Sequence, residues 1–269
     1  MSEDVIITYK KIGETPLESL EKARKERGIA TDIPMTYAGR LDPMAEGLMI
    51  ILAGDECKNK EKYLGLDKTY EFEILVGFTT DTYDLLGLIT SEYTNSSHLN
   101  PLSGGSDADS EFAYSDVIKD TVPKFIGNIT QKYPPFSSKT VNGKQLFQLS
   151  KEGGLPEILP THEVTIYNLR CTSTMIQKKK DLYSEVQRRI NLVQGDFRQK
   201  EILESWARAF KDSNQQEYTV LSCICECSSG TYIRQLVHDI SEQIGMPLVT
   251  YSIKRIKVGE HILNDNVGK

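Results

Sequence analysis

Asp42 is the first residue whose surroundings suggest chemistry. It stands in the run Tyr37-Ala38-Gly39-Arg40-Leu41-Asp42-Pro43, between a glycine and a proline and just ahead of the apolar stretch Leu48 to Leu52. A carboxylate at the end of a rigid element is placed as catalytic groups commonly are. A turn aspartate or a helix cap is the plainer reading of that residue alone. Arg234 is the second. It falls in Ser229-Gly230-Thr231-Tyr232-Ile233-Arg234, a glycine turn that opens a helix. A cation in the first turn of a helix opposes the helix dipole, so it needs a compensating carboxylate unless it is simply an exposed arginine.

Other chemistries find less support. Cys223, Cys225 and Cys227 alternate at period two, which reads as one buried face of a strand. Zinc sites favour C-x2-C pairs and a fourth ligand. His98, His162, His238 and His261 form neither H-x3-H nor H-E-x-x-H, which argues against a zinc hydrolase. A serine or cysteine hydrolase lacks its G-x-S-x-G elbow. No metal and no cofactor is expected.

The elements that must position Asp42 and Arg234 follow from periodicity. A helix is predicted over Pro16 to Arg27, with proline in its first turn. Thr36 to Pro43 reads as a polar loop, and Leu48 to Leu52 as a buried strand. Thr69 to Val76 alternates, with Tyr70, Phe72 and Ile74 on one face. Gln145 to Lys151 reads as a helix closed by Gly153-Gly154, and Glu163 to Thr172 as a strand. Leu182, Val186, Ile190, Val193 and Phe197, then Ile202, Trp206 and Phe210, keep helical spacing around Gly195. That pattern predicts a helical hairpin with an apolar seam and a basic outer face. Tyr218 to Cys227 reads as a strand, Thr231 to Ile244 as a helix, and Tyr251 to Val258 as a last strand. Strands joined by unlike connections predict an α+β fold around a mixed sheet.

Composition sets the remaining bounds. The 269 residues carry 32 basic and 38 acidic side chains, a net charge of −6. The chain holds no run of 18 apolar residues, so no membrane span is expected. Its acidic first residues lack a basic-then-apolar leader, so a cytoplasmic protein with reduced cysteines is expected. A net negative chain argues against a nucleic-acid partner, but the charge is uneven. Glu92 to Asp120 carries six acids against Lys119, whereas Gln177 to Asp212 carries nine bases against six acids. Ser91 to Ser115, rich in Ser, Gly, Asn and Asp, reads as a flexible acidic insertion at about 92–120. A near-neutral body with one basic excursion can still offer a binding face.

Six segments in order then match one family. Gly39-Arg40-Leu41-Asp42-Pro43, Lys68-Thr69-Tyr70, Thr80-Asp81-Thr82 with Asp84, Pro134-Pro135-Phe136-Ser137-Ser138-Lys139 through Asn142-Gly143-Lys144, Ser229 to Arg234, and Lys254 to Gly259 resemble the motifs of the TruB-type tRNA pseudouridine synthases. The resemblance spans about residues 5 to 260. It implies the pseudouridine synthase fold, a mixed and mostly antiparallel sheet flanked by helices. It implies a single catalytic domain over 1–269, a helical-hairpin insertion at about 177–212, and no C-terminal PUA domain. By the same resemblance Asp42 is the nucleophile or base that lets uracil detach, rotate and reattach through C5. Tyr70 packs on the base and moves a proton, and Arg234 pairs with Asp42. Tyr37, Tyr232 and Ile253 contact the flipped uridine, and Asp84 is a further acid of the site.

The implied substrate is tRNA, at uridine 55 of the TΨC stem-loop, acted on by a monomer. Flipping a base costs a few kcal/mol of stacking, and tyrosines can return about 1–3 kcal/mol per stacked base. The chain departs from the family at Tyr37, Arg40 and Glu46, where His, Thr or Ala, and Thr are usual. Gly-Arg-Leu-Asp is commoner in sister families, so another RNA target is the first alternative. An inactive RNA-binding or RNA-folding protein is the second, though binding alone does not need Asp42, Tyr70 and Arg234. The RNA face is expected on the hairpin, through Lys178, Lys179, Lys180, Arg188, Arg189, Arg198, Lys200, Arg208 and Lys211. A second candidate surface gathers Lys139, Lys144, Lys254 and Arg255.

Overall fold

The computed structural model of the chain describes residues 4–92 and 107–263, with 107–113 as backbone. In chain order the elements are β1 (Val5–Lys10), α1 (Pro16–Arg27), β2 (Met35–Ala38), β3 (Ala45–Ala53), α2 (Lys60–Leu64), β4 (Lys68–Val76), β5 (Phe78–Thr80) and β6 (Ile89–Glu92). There follow α3 (Asp107–Thr121), β7 (Gly127–Lys132), β8 (Thr140–Val141), β9 (Lys144–Gln145), α4 (Leu146–Glu152), β10 (Thr161–Lys178), α5 (Lys179–Leu192) and α6 (Gln199–Asp212). The last elements among the described residues are β11 (Glu217–Cys227), α7 (Ile233–Ile244), β12 (Leu248–Val258) and β13 (His261–Ile262).

The main sheet runs β1-β3-β12-β4-β11-β10-β7, with β2 added to β3 and β13 to β12. Its pairings are antiparallel except for β3 with β12. This is the mixed, mostly antiparallel α+β sheet that the resemblance implies. Both faces are covered. Met49 and Ile51 of β3, with Tyr70, Phe72 and Ile74 of β4, meet Leu20 of α1, Ile118 of α3 and Leu236 and Ile240 of α7. On the other face Leu75, Val249 and Tyr251 meet the hairpin of α5 and α6. β3 is buried almost throughout, which is why it reads as a continuous apolar run.

The hairpin forms as expected. Leu182, Val186, Ile190, Ile202 and Trp206 are fully buried along its seam, each such side chain stabilising by about 1.5–3 kcal/mol. Phe78, Trp206, Phe210 and Tyr218 pack with ring centroids 5.2 to 5.9 Å apart. Cys223, Cys225 and Cys227 form the buried strand face that their alternation predicts.

Three expectations differ. The polar loop over Thr36 to Pro43 is half strand, because Met35–Ala38 pairs with Ala53–Ile50 as β2. β10 extends to Lys178 and feeds directly into α5. The acidic insertion expected to be flexible at 92–120 contains helix α3; residues 93–106 lie outside the described part. Tyr114, Ile118 and Val122 recur at four-residue spacing and pack on the core, a helical signal masked by the surrounding Ser and Asp.

Candidate active site

Asp42 follows β2 and precedes β3 by two residues, so the sheet fixes both ends of its loop. Two buried cations hold that loop from behind. Arg255 of β12 is 1% exposed. It donates from Nε to the Leu48 carbonyl at 2.8 Å and from its terminal nitrogens to the carbonyls of Arg40 and Gly39, each at 3.3 Å. Lys10 of β1 donates from Nζ to Ala45 O at 2.6 Å, and more weakly to Lys11 O and Pro43 O. Burial pulls the Lys10 ammonium down to about 8, with Asp42, Glu14 and Glu46 opposing. Gly47 lets β3 lie against Arg255, since a Cβ there would run into the Arg255 backbone. These braces leave the Asp42 side chain 39% exposed.

Arg234 reaches Asp42 from the first turn of α7. Its Nε donates to Asp42 Oδ2 at 2.7 Å and lies 3.7 Å from Asp84 Oδ2. Its Nη1 donates to Thr82 O at 2.7 Å and its Nη2 to Phe136 O at 3.2 Å. The guanidinium is buried, which disfavours its charge, but Asp42 and Asp84 outweigh that and raise its pKa above the ordinary value. A planar fork with partners on every edge has one orientation available. The start of α7 is fixed in turn by Gln131, whose Oε1 accepts from Tyr232 N at 2.8 Å and whose Nε2 donates to Tyr232 O at 3.1 Å.

Asp84 is buried beneath the pair. Its Oδ1 accepts from Thr82 Oγ1 at 2.8 Å and Leu86 N at 2.9 Å. Burial pushes its carboxyl up to about 6, against the pull of Arg234. Tyr83, one residue earlier, has φ +66°, a conformation that costs a residue other than glycine about 1–3 kcal/mol. Its ring lies flat on His238 at 3.9 Å, and its carbonyl accepts from Thr250 N. These contacts keep the strained turn in place. Gly87 closes it, because a Cβ there would collide with the Thr82 hydroxyl and the Asp81 carboxylate.

Asp42, Arg234 and Asp84 are therefore brought into one polar centre; of the other expected residues Tyr232 adjoins it, while Tyr70 lies against Arg255 and Ile253 beside β3. Tyr70, 8% exposed, has its hydroxyl against Arg255. Burial is the main cause that raises it to about 12, so it is a neutral phenol at neutral pH. Tyr232 titrates above its usual range, through burial and then the charge of Asp42. Ile253 pairs with Ala45 and Phe72 in the sheet and is buried in the same core as Tyr70. Tyr37 packs against that core, but its ring faces the Lys60 ammonium at 5.6 Å rather than a member of the polar centre.

Sequence reasoning missed Lys10 and misplaced Arg255. Lys10 keeps the inward phase of Ile6 and Thr8 in β1, a readable signal. Arg255, grouped with surface bases, is instead a buried brace. The hairpin bases also divide. Lys178, Lys180, Lys200, Arg208 and Lys211 point to the outer side, whereas Arg188 is held by Glu185 and Lys179 by the Ser213 carbonyl. Arg189 is tied to Glu185 and Tyr251 O, and Arg198 to Asp81.

A part-exposed carboxylate held by a buried arginine, with a second acid behind and Tyr232 beside it, is a centre for nucleophilic or acid–base chemistry. The chain belongs to the TruB family: the family model for the N terminal domain of TruB family pseudouridylate synthases matches residues 33–195. It is 27% identical over 224 residues to the tRNA pseudouridine synthase B of Aquifex aeolicus, covering 83% of this chain and 58% of that one. It is 27% identical over 267 residues to the enzyme of the same name from Lactobacillus delbrueckii subsp. bulgaricus, covering 99% and 72%. It is 28% identical over 269 residues to tRNA pseudouridine synthase 4 of Saccharomyces cerevisiae, covering 87% and 62%. The fold resembles a chain in the crystal structure of a Cbf5-Nop10-Gar1 complex, with TM-score 0.53 and 15% identity over 98% of this chain and 51% of that one. The chain thus spans little more than half the length of several relatives. Among the described residues no helix is long and apolar enough to cross a membrane.

Proposed function

We propose that this protein is a tRNA pseudouridine synthase, that its target is uridine 55 of the TΨC stem-loop, and that it works as a cytoplasmic monomer. The observation that carries the activity is the Asp42–Arg234 contact of 2.7 Å, made in a chain of the TruB family. The names of the relatives support tRNA as the substrate. The choice of uridine 55 rests on the resemblance of the motifs.

In this reading the target base is flipped out of the RNA and set against Tyr70. Asp42, kept ionised by Arg234, acts as nucleophile or base while the N1–C1′ bond breaks. Uracil turns and bonds to C1′ through C5; C5 gives up its proton, and N1 ends protonated. The reaction rearranges bonds within one nucleotide, so nothing is oxidised or reduced. Tyr70, a neutral phenol, offers a stacking face and a hydroxyl that can pass a proton. Tyr37, Tyr232 and Ile253 would line the base, and Asp84 would hold Arg234 from behind. The test is a tRNA transcript tritiated at uracil C5, with and without its uridine at position 55. Tritium should leave the first and not the second. Equal release from both would redirect the target, and no release from either would reject the activity.

A further inference from the structure

The hairpin of α5 and α6 does more than cover the sheet. Its helices are joined by residues 193–198, and that turn is built rather than loose. Gln199 Nε2 donates to Val193 O at 3.0 Å and Gly195 O at 2.7 Å, while its Oε1 accepts from Phe197 N at 2.9 Å. Arg198, at the N-cap of α6, has φ +61°, the left-handed region. Its side chain leaves the hairpin and reaches two segments of the active site. Its Nη1 meets Asp81 Oδ2 at 2.8 Å, and its Cζ lies 4.7 Å from the centroid of the Phe136 ring. Asp81 adjoins Thr82, whose carbonyl accepts from Arg234; the Phe136 carbonyl accepts from Arg234 as well. Arg198 thus grips from outside the same two segments that orient Arg234 from inside.

Two further contacts tie α6 to the Asp81–Ile89 loop. Trp206 Nε1 donates to Leu85 O at 3.0 Å, and Ser205 Oγ accepts from Ile89 N at 3.1 Å. Asp81 Oδ1 accepts from Leu88 N at 2.9 Å, leaving Oδ2 for Arg198. The path runs from Arg198 to Asp81 and Phe136, on to Arg234, and from there to Asp42.

We propose that Arg198 is a positioning residue, through which the hairpin sets the orientation of Arg234 and hence of Asp42. This rests on the reading of Asp42 as the reacting carboxylate. Arg198 touches no reacting atom, so its removal should slow the chemical step and leave RNA affinity alone. A displacement of the reacting groups by an ångström can cost on the order of a hundredfold in rate.

The experiment compares wild type with Arg198→Met, Arg198→Lys, Asp81→Asn and the double variant Arg198→Met/Asp81→Asn. Each is measured for single-turnover tritium release at saturating tRNA, for tRNA Kd, and for the NMR shift of the Arg234 Nε–H without RNA. Arg198→Met should slow turnover roughly ten- to hundredfold at unchanged Kd and move the Arg234 resonance. Arg198→Lys, which keeps the charge but loses the planar fork, should recover part of the rate. The double variant should be no slower than the slower single variant. Arg198→Met with wild-type rate and a wild-type Arg234 resonance overturns the proposal, as does a loss seen only in thermal stability. A wild-type protein that releases no tritium rejects the synthase reading itself, and the resonance then still reports whether Arg198 orients Arg234.

Discussion

Replacing Asp84 by asparagine should make the protein more stable at neutral pH and less active. The Asp84 side chain is 9% exposed, and its carboxyl sits at about 6 where an unperturbed aspartate lies at 3.8. The folded state therefore holds this proton more tightly than the unfolded chain. Its stabilising contribution is complete below pH 4 and is lost as pH rises through 6. A difference of that size corresponds to about 3 kcal/mol of stability forgone at pH 7. Asparagine mimics the neutral carboxyl, and its oxygen can still accept from the Thr82 hydroxyl and the Leu86 N–H. Asp84→Asn should match wild type near pH 4 and exceed it by as much as about 3 kcal/mol at pH 7, a rise of several degrees in Tm. Turnover should fall, because Arg234 loses its second counter-charge. The assay is denaturant unfolding of both proteins from pH 4 to 7, where all shared titrations cancel in the difference. A difference that stays constant across that range would refute the reasoning, since the buried carboxyl would then ionise as freely as in the unfolded chain.

Other outcomes follow from the same geometry. Arg234→Ala should cost about 3 kcal/mol or more, and adding Asp84→Asn should restore more of the loss than adding Asp42→Ala, because Asp84 is buried and Asp42 is 39% exposed; a double-mutant cycle of unfolding energies decides this. Gln at Lys178, Lys180, Lys200, Arg208 and Lys211, the outer hairpin bases, should weaken tRNA binding and flatten its log–log salt dependence by roughly 0.7–0.9 for each phosphate left without its cation. Superimposable salt curves would place the RNA elsewhere. Trp206→Ala should cost about 3–5 kcal/mol, read by unfolding, since it empties the hairpin seam and leaves the Leu85 carbonyl without its donor.

How much of this was legible in the sequence depends on the length scale of each signal. That Arg234 needs a carboxylate was readable because a cation in the first turn of a helix is anomalous, and its pairing with Asp42 came from the resemblance of the two motifs. The hairpin was readable because Leu182, Val186, Ile190, Ile202 and Trp206 keep one phase over many residues. Helix α3 was not, because Tyr114, Ile118 and Val122 are spread thinly through a polar segment whose composition dominates any short window. Arg255 was mistaken for a surface base because strand residues between Lys254 and Lys257 look exposed, and only the register β3-β12-β4 shows that it lies beneath Gly39 and Arg40. Arg198 could not have been found at all. Its contact with Asp81 joins residues 117 apart, and nothing local in either segment announces the other.

The most direct test of the central claim compares wild type with Asp42→Asn on one tRNA transcript tritiated at uracil C5. The substitution is nearly isosteric and removes only the charge that Arg234 holds at 2.7 Å. Wild type should release tritium and leave pseudouridine, while Asp42→Asn should bind the same RNA with similar affinity and release none. Release by Asp42→Asn above a protein-free control would contradict the assignment of Asp42 as the reacting carboxylate.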